Sequence, residues 1–126
     1  MTLEPVQVVK LAWQGADEKK ALSPVILDMK NLTIVADYFL IASGRTAIAV
    51  RAIAEGISDR LAADAQLLPK GREGYEDAHW ILLDYGAVVV HVFLEQDREY
   101  YNLERLWADA PRVEMEADVS SVGENL

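Results

Sequence analysis

The sequence contains no cysteine, and its only histidines are His79 and His91. Without cysteine the chain cannot form disulfides, a thiolate nucleophile, an iron–sulfur cluster or the common structural zinc sites. Two histidines are too few for a histidine-rich metal site. We therefore expect neither a metal centre nor a cofactor, and such a chain suits a reducing compartment.

Long apolar segments are also missing. The longest run, Ala87 to Leu94, is interrupted by His91, and it is far shorter than the roughly 20 residues that a membrane-spanning helix requires. The first residues, Met1 to Pro5, have neither the basic residues nor the apolar stretch of a signal peptide. We expect a cytoplasmic protein that does not bind membranes.

Basic residues are scarce. Lys and Arg total 12 against 21 Asp and Glu, and the formal net charge of the 126 residues is −9. Because no cluster of Lys and Arg interrupts this acidity, repulsion disfavours direct binding to a nucleic-acid backbone. A basic protein partner would be attracted instead. A simpler interpretation, that the charge only keeps the chain soluble, explains the same numbers.

Apolar spacing predicts three helices. Large apolar residues recur every three or four positions in 6–16 and 50–61, and again in 95–107, which is the period of an amphipathic helix. Ser43 and Thr46 precede the second of these segments, and either one is a candidate N-cap.

Short runs rich in β-branched and aromatic residues predict the strands, at 25–29, 38–42, 79–84 and 87–94. A further edge strand is predicted at 67–69, where a proline is tolerated, followed by a polar loop at 70–78. The fold class that follows is α/β, with a mixed sheet of about five strands and flanking helices.

The length suits a single domain, which we place at 1–110. From 111 to 126 the chain has many acids and few large apolar residues. We expect this segment to be a weakly ordered acidic tail.

Segment 79–94 predicts a hairpin in which Tyr85 and Gly86 form the turn and Trp80 pairs with His91. Because side chains alternate between the faces of a sheet, one face is purely aliphatic and typical of a core. The other face consists of Trp80, Leu82, Asp84, Ala87, Val89, His91 and Phe93. Its composition is typical of the centre of a protein interface, but a covering helix would explain it equally well.

Features that would indicate catalysis are incomplete. Gly71 and Gly74 do not form a phosphate-binding or dinucleotide motif, and a flexible loop is the simpler interpretation. Ser43-Gly44 before a helix resembles the start of the nucleotidyltransferase signature, but Asp84 stands alone on the strand where paired acids would be needed. We predict that the chain is not an enzyme, and a small nucleotidyltransferase-like enzyme is the alternative.

Three long segments resemble those of one family, in the same order and with the same spacing. They are Ala36–Gly44 (ADYFLIASG), Trp80–Phe93 (WILLDYGAVVVHVF) and Arg98–Trp107 (REYYNLERLW). The family is the ribosomal silencing factor family, also called the Iojap family, and the resemblance covers about residues 5 to 110. Ala87 is a small departure, because an aspartate is common at this position in the family.

This resemblance implies a nucleotidyltransferase-like topology without catalytic carboxylates. It also implies binding to the large ribosomal subunit through protein fourteen of that subunit, at the face that meets the small subunit. A factor bound there sterically blocks subunit joining and represses translation under nutrient limitation or in stationary phase. The family can homodimerise and is linked to large-subunit maturation, which gives the alternative of a homodimeric maturation factor.

The resemblance and the hairpin pattern together predict which residues contact the partner. Trp80 and its face supply apolar anchors, and Asp84 and Glu104 pair with Lys or Arg of the partner. Tyr101 and Trp107 extend the patch, although both fit equally well as core residues that cover the sheet. The predicted contacts are Trp80, Leu82, Asp84, Tyr85, Val89, His91, Phe93, Tyr101, Glu104 and Trp107.

Overall fold

The computed structural model describes residues 3–115, which form one mixed sheet with helices on both faces. In chain order the elements are α1 (Pro5–Glu18), β1 (Leu22–Asp28), β2 (Tyr38–Gly44), α2 (Ala47–Ala65), β3 (Gly71–Glu73), β4 (Trp80–Asp84), β5 (Val88–Leu94), α3 (Glu95–Tyr101), α4 (Leu103–Leu106) and β6 (Arg112–Val113).

The six strands lie in the order β3-β4-β5-β2-β1-β6. Strands β2 and β5 pair in parallel, and every other neighbouring pair is antiparallel. The predicted α/β class and the mixed sheet are confirmed, but the sheet has six strands rather than about five.

Two long helices cover one face of the sheet. The predicted helix at 50–61 is the buried stripe of α2, and Thr46 is its N-cap, because its hydroxyl accepts a hydrogen bond from the Ala49 N–H at 3.0 Å. Ser43 belongs to β2 instead. Helix α1 crosses α2 closely: a Cβ on Gly15 would lie 3.1 Å from the Gly56 carbonyl oxygen, so only a glycine fits there without displacing a neighbour.

The two faces of the sheet differ in composition. The face under α1 and α2, called here the helical face, is almost entirely aliphatic; it includes Ile26, Leu40, Ile81, Leu83, Val90 and Val92. The opposite face, called here the aromatic face, includes Phe39, Ile41, Trp80, Leu82, Asp84, Val89, His91 and Phe93. The predicted separation of the hairpin into an aliphatic and an aromatic face is confirmed.

The predicted hairpin register is wrong by two residues. Trp80 pairs with Phe93, not with His91, and the Tyr85 N–H donates to the Val88 carbonyl at 2.9 Å, so the loop is Gly86–Ala87. Gly86 has a φ of 86°, and a glycine with positive φ at the first loop position is characteristic of a tight type II′ hairpin turn. An even shift leaves the side chains of both strands on their predicted faces, but Ala87, predicted on the aromatic face, lies in the loop.

The edge strand was predicted in the wrong place. Residues 67–69 are not a strand, and β3 lies at Gly71–Glu73, inside the segment predicted as a flexible loop. Gly74 follows with a φ of 87°, and a Cβ there would lie 1.9 Å from the Trp80 carbonyl oxygen. The glycine therefore allows the chain to leave β3 directly beside Trp80.

The predicted single helix at 95–107 is two short helices. Asn102, with a φ of 46°, separates α3 from α4, and its side chain accepts a hydrogen bond from the Arg105 N–H at 3.2 Å. The division into a domain at 1–110 and a tail at 111–126 stays a prediction. Two residues of the predicted tail form β6 beside β1, and 116–126 lie outside the described residues.

Candidate functional site

The aromatic face is built around a hydrogen bond between two side chains of adjacent strands. The Trp80 Nε1–H donates to Nδ1 of His91 at 3.1 Å, which leaves the His91 proton on Nε2 in the neutral ring. His91 is 5% exposed, and burial lowers the pKa of its imidazole from 6.5 to about 4. The ring is therefore neutral at physiological pH and fixes the orientation of the Trp80 indole.

Aromatic rings surround this pair. The Trp80 ring lies 4.8 Å from Phe93 and 4.9 Å from Tyr101, between ring centroids. On the other side, His91 contacts the edge of Phe39 at 4.7 Å. Trp107 then meets Phe39 edge-on at 6.3 Å. Such ring pairs stabilise one another beyond their buried area, so the face is a connected and pre-organised surface.

Helices α3 and α4 cover only part of this surface. Neither helix has a fully buried residue. Leu103 and Trp107 pack against the sheet, whereas Tyr101 is 49% exposed and its neighbour Tyr100 is 81% exposed. An aromatic surface is therefore left partly open to solvent around Trp80.

Acidic groups lie at the edge of the open surface. Glu73 at the end of β3 pairs with Leu82 and is exposed, so it lies on the aromatic face. Together with Gly74, Trp80 and Leu82 it lines a shallow cleft of about 250 Å³. The sequence interpretation missed Glu73, because it treated 70–78 as a loop. Strand β3, Gly71–Glu73, has no apolar residue that could give an alternation, so the face of Glu73 follows only from its pairing with β4.

The structure brings together seven of the predicted contact residues on the aromatic face, but Val89, His91 and Phe93 are buried and lie beneath the accessible surface. The seven are Trp80, Leu82, Val89, His91, Phe93, Tyr101 and Trp107. Asp84 lies at the end of the same face, but one of its carboxylate oxygens already accepts the Gly86 N–H at 2.8 Å in the hairpin turn. Its second oxygen is the one left for a partner.

Two predicted contact residues lie elsewhere. Tyr85 is buried on the helical face, where burial raises the pKa of its hydroxyl, because residue 85 follows the alternation of β4 to the side opposite Asp84. Glu104 pairs within the chain: its carboxylate accepts from Arg98 at 2.9 Å and from Arg112 at 3.3 Å. The prediction treated Tyr85 and Glu104 as exposed, because the sequence shows neither the burial of Tyr85 nor the ion pairs of Glu104.

The segment that resembles a nucleotidyltransferase signature is not arranged as an anion site. The Ser43 hydroxyl accepts a hydrogen bond from Arg98 at 3.1 Å, and Thr46, not Ser43, caps α2. Among residues 3–115 no three His, Asp or Glu side chains are grouped so that they could hold a metal ion. Within the same range, none of the helices has the length and apolar character that a bilayer crossing needs.

Comparison with known proteins decides the family. The family described as "Ribosomal silencing factor during starvation" matches residues 2–125. The chain belongs to the ribosomal silencing factor family. The match extends beyond the predicted range of about 5 to 110 and includes most of the predicted tail.

Individual ribosomal silencing factors are similar over nearly their whole length. The protein of that name from Halalkalibacterium halodurans is 46% identical over 114 residues, which cover 90% of this chain and 97% of the relative. The one from Bacillus subtilis is 44% identical over 109 residues, 86% of this chain and 92% of the relative. A crystal structure of a Chromobacterium violaceum protein matches with a TM-score of 0.80 and 34% identity, covering 84% of this chain and 88% of that one.

Proposed function

We propose that this ribosomal silencing factor binds the large ribosomal subunit through protein fourteen of that subunit and blocks association with the small subunit. The observation that carries the proposal is the aromatic face, a rigid patch around Trp80 that α3 and α4 leave partly open. Buried aromatic anchors at the centre of an interface commonly supply most of its binding free energy.

The charge of the chain favours the same kind of partner. Ribosomal proteins are commonly basic, and this chain carries a net charge of −9. Glu73 and the free oxygen of Asp84 lie beside the anchors, where they can pair with Lys or Arg of the partner. Long-range attraction would speed association, and these local pairs would set the orientation.

The mechanism is steric and needs no catalytic step. A domain of this length is about 30 Å across, so a copy bound at the intersubunit face would exclude the small subunit. The protein would act in the cytoplasm and repress translation when nutrients are limiting. A homodimer that buries the aromatic face would compete with the ribosome for the same residues.

The first test is co-sedimentation of the purified protein with isolated large and small subunits, followed by a subunit-joining assay on sucrose gradients. We expect selective binding to the large subunit and fewer joined ribosomes. Replacing Trp80 by Ala should weaken binding about thirtyfold, the loss typical of an interface anchor. Absence of large-subunit binding at physiological salt would refute the proposal.

Matched variants separate binding from folding. Tyr101→Ala removes an exposed ring from the same patch and should also weaken binding. Leu68→Ala removes a side chain that is 76% exposed in the segment between α2 and β3, and it should bind like the wild type. Equal binding by all three variants, each with a normal unfolding transition, would remove the aromatic face from the interface.

A further inference from the structure

The position of Tyr101 on Trp80 depends on a segment with little apolar anchoring. Helices α3 and α4 together span 95–106 and have no fully buried side chain. The chain between them turns at Asn102, in a left-handed conformation. Segments with few buried apolar contacts open most readily in native proteins. The partial packing of Leu103 and Trp107 on the sheet therefore leaves room for polar contacts to contribute to holding α3 and α4 in place.

Arg98 makes four of these polar contacts, beside a contact of 3.2 Å between His79 Nδ1 and the carboxylate of Asp97 in α3. Arg98 Nη1 donates to the Leu22 carbonyl at 2.9 Å and to the Ser43 hydroxyl at 3.1 Å, and Nη2 donates to the Ser23 carbonyl at 2.8 Å. Its Nε donates to Glu104 at 2.9 Å. The Arg98 side chain is only 12% exposed. The bonds to Leu22, Ser43 and Glu104 are partly buried, whereas the bond to Ser23 is exposed, and charge-assisted bonds are stronger than neutral ones.

The acceptors of Arg98 belong to three different parts of the fold. Leu22 and Ser23 lie at the start of β1, where the pairing with β2 shifts register before Val25. Ser43 lies at the end of β2. Glu104 lies in α4, on the far side of the Asn102 turn. Arg98 therefore ties α3 to the sheet and at the same time fixes α3 relative to α4.

We propose that Arg98 is the positioning residue of the partner-binding surface: its hydrogen bonds hold α3 and α4 so that Tyr101 lies on Trp80 and Trp107 lies on Phe39. This inference rests on the proposed function, since it concerns the same surface. Arg98 itself does not contact the partner. It affects binding only because it determines where the rings of Tyr101 and Trp107 lie.

The geometry requires arginine rather than any cation. Guanidinium donors point in fixed, planar directions and can reach several acceptors at once, whereas a lysine ammonium is a single point with three donors. Lysine at this position would keep the attraction to Glu104 and lose bonds to β1 or β2. The variant Arg98→Lys therefore shows whether the positive charge at position 98 is sufficient or the planar arrangement of donors is needed.

The first readout uses the isolated protein. Amide hydrogen exchange is measured in Arg98→Gln, Arg98→Lys and the control Arg105→Gln, which removes an exposed cation from α4. We expect amides of 98–107 to exchange about tenfold faster in both Arg98 variants, because charged hydrogen bonds hold the segment closed. Amides in the buried stripe of α2 should be unaffected, as should the control.

The second readout is large-subunit binding at a temperature where every variant is fully folded. We expect about tenfold weaker binding by both Arg98 variants and no change in the Arg105 control. A merely structural role would lower the unfolding midpoint without changing binding by the folded protein. Wild-type exchange in Arg98→Gln, or wild-type exchange and binding in Arg98→Lys, would overturn the assignment.

The two readouts also separate this inference from the proposed function. If Trp80→Ala weakens binding and the Arg98 variants do not, the aromatic face binds the subunit but Arg98 does not position it. If Trp80→Ala binds normally while exchange at 98–107 rises in the Arg98 variants, Arg98 holds α3 and α4 but the aromatic face is not the binding surface. If the wild type does not bind the large subunit, the proposed function fails, and the exchange measurement still shows whether Arg98 holds α3 and α4.

Discussion

The two faces of the sheet are covered in different ways. On the helical face, α1 and α2, of 14 and 19 residues, bury aliphatic side chains completely. On the aromatic face, α3 and α4, of 7 and 4 residues, bury no side chain of their own completely. They are held by partial apolar packing and by polar contacts, most of which Arg98 makes. The same strands thus have a closed side and a partly open side.

This difference suggests a division of roles. Complete aliphatic burial gives most of the stability of a small domain, so we expect the helical face to determine whether the chain folds. An aromatic patch in a fixed arrangement loses little conformational entropy when a partner covers it. We expect the aromatic face to determine what the folded chain binds.

Two neighbouring residues of β4 test this division of roles directly. Leu83 is fully buried on the helical face, and Leu82 is half-buried on the aromatic face. Leu83→Ala should lower the free energy of unfolding by about 2 to 5 kcal/mol, the usual cost of a cavity in a core. Leu82→Ala should cost less than about 2 kcal/mol, because its removal leaves no closed cavity.

Urea unfolding and subunit binding of the same two variants give the measurement. Leu83→Ala, assayed where it is folded, should bind like the wild type, and Leu82→Ala should bind about tenfold more weakly. Equal losses of stability, or a binding defect in Leu83→Ala alone, would mean that the two faces do not divide these roles.

A second prediction concerns pH. His91 has a pKa of about 4 in the folded chain and about 6.5 in the unfolded chain. Because the unfolded chain takes up the proton more readily than the folded chain, protonation of His91 favours unfolding. The free energy of unfolding is therefore unaffected by His91 well above pH 6.5 and decreases as the pH falls towards 4. At pH 4.5 the loss due to His91 should be about 2 to 3 kcal/mol.

The matched variant is His91→Gln, which keeps an acceptor for the Trp80 N–H and cannot titrate. Its free energy of unfolding should fall less between pH 7 and 4.5 than that of the wild type, and the difference isolates His91 from the titrating carboxylates. Parallel curves for the two proteins would show that the imidazole is not held neutral by burial.

Local patterns in the sequence predicted most of the framework. The spacing of Val50, Ile53 and Ile57 determined both the existence of α2 and its buried side. The alternation in β4 and β5 separated the two faces correctly, even though the turn was misplaced, because the error was an even number of residues. The central pairing of β2 with β5 follows from no local signal.

The remaining errors share a physical cause, which is contact between residues far apart in the chain. Arg98 finds its acceptors in β1 and β2, and Glu104 is neutralised by Arg98 and Arg112. A helical period in 95–107 predicts one helix and gives no sign of the turn at Asn102. Strand β6 forms by pairing with the free edge of β1. It has only two residues, which are too few to show a periodicity in the sequence.

The smallest expected effect tests the acidic rim of the aromatic face. Asp84→Asn keeps the oxygen that accepts the Gly86 N–H and removes the charge, so the free energy of unfolding should change by less than about 0.5 kcal/mol. Association with the large subunit should slow about threefold at low salt, and the difference should vanish at high salt, where screening removes the attraction. Association rates across a salt series give the measurement.

The control for this charge is Asp59→Asn, which makes the same change on the exposed side of α2. If only the net charge of −9 matters, both variants should slow association equally. If position matters, Asp84→Asn should have the larger effect, because a charge beside the anchors acts at the distance where orientation is decided. Equal rates would remove Asp84 from the local determinants of recognition on this face.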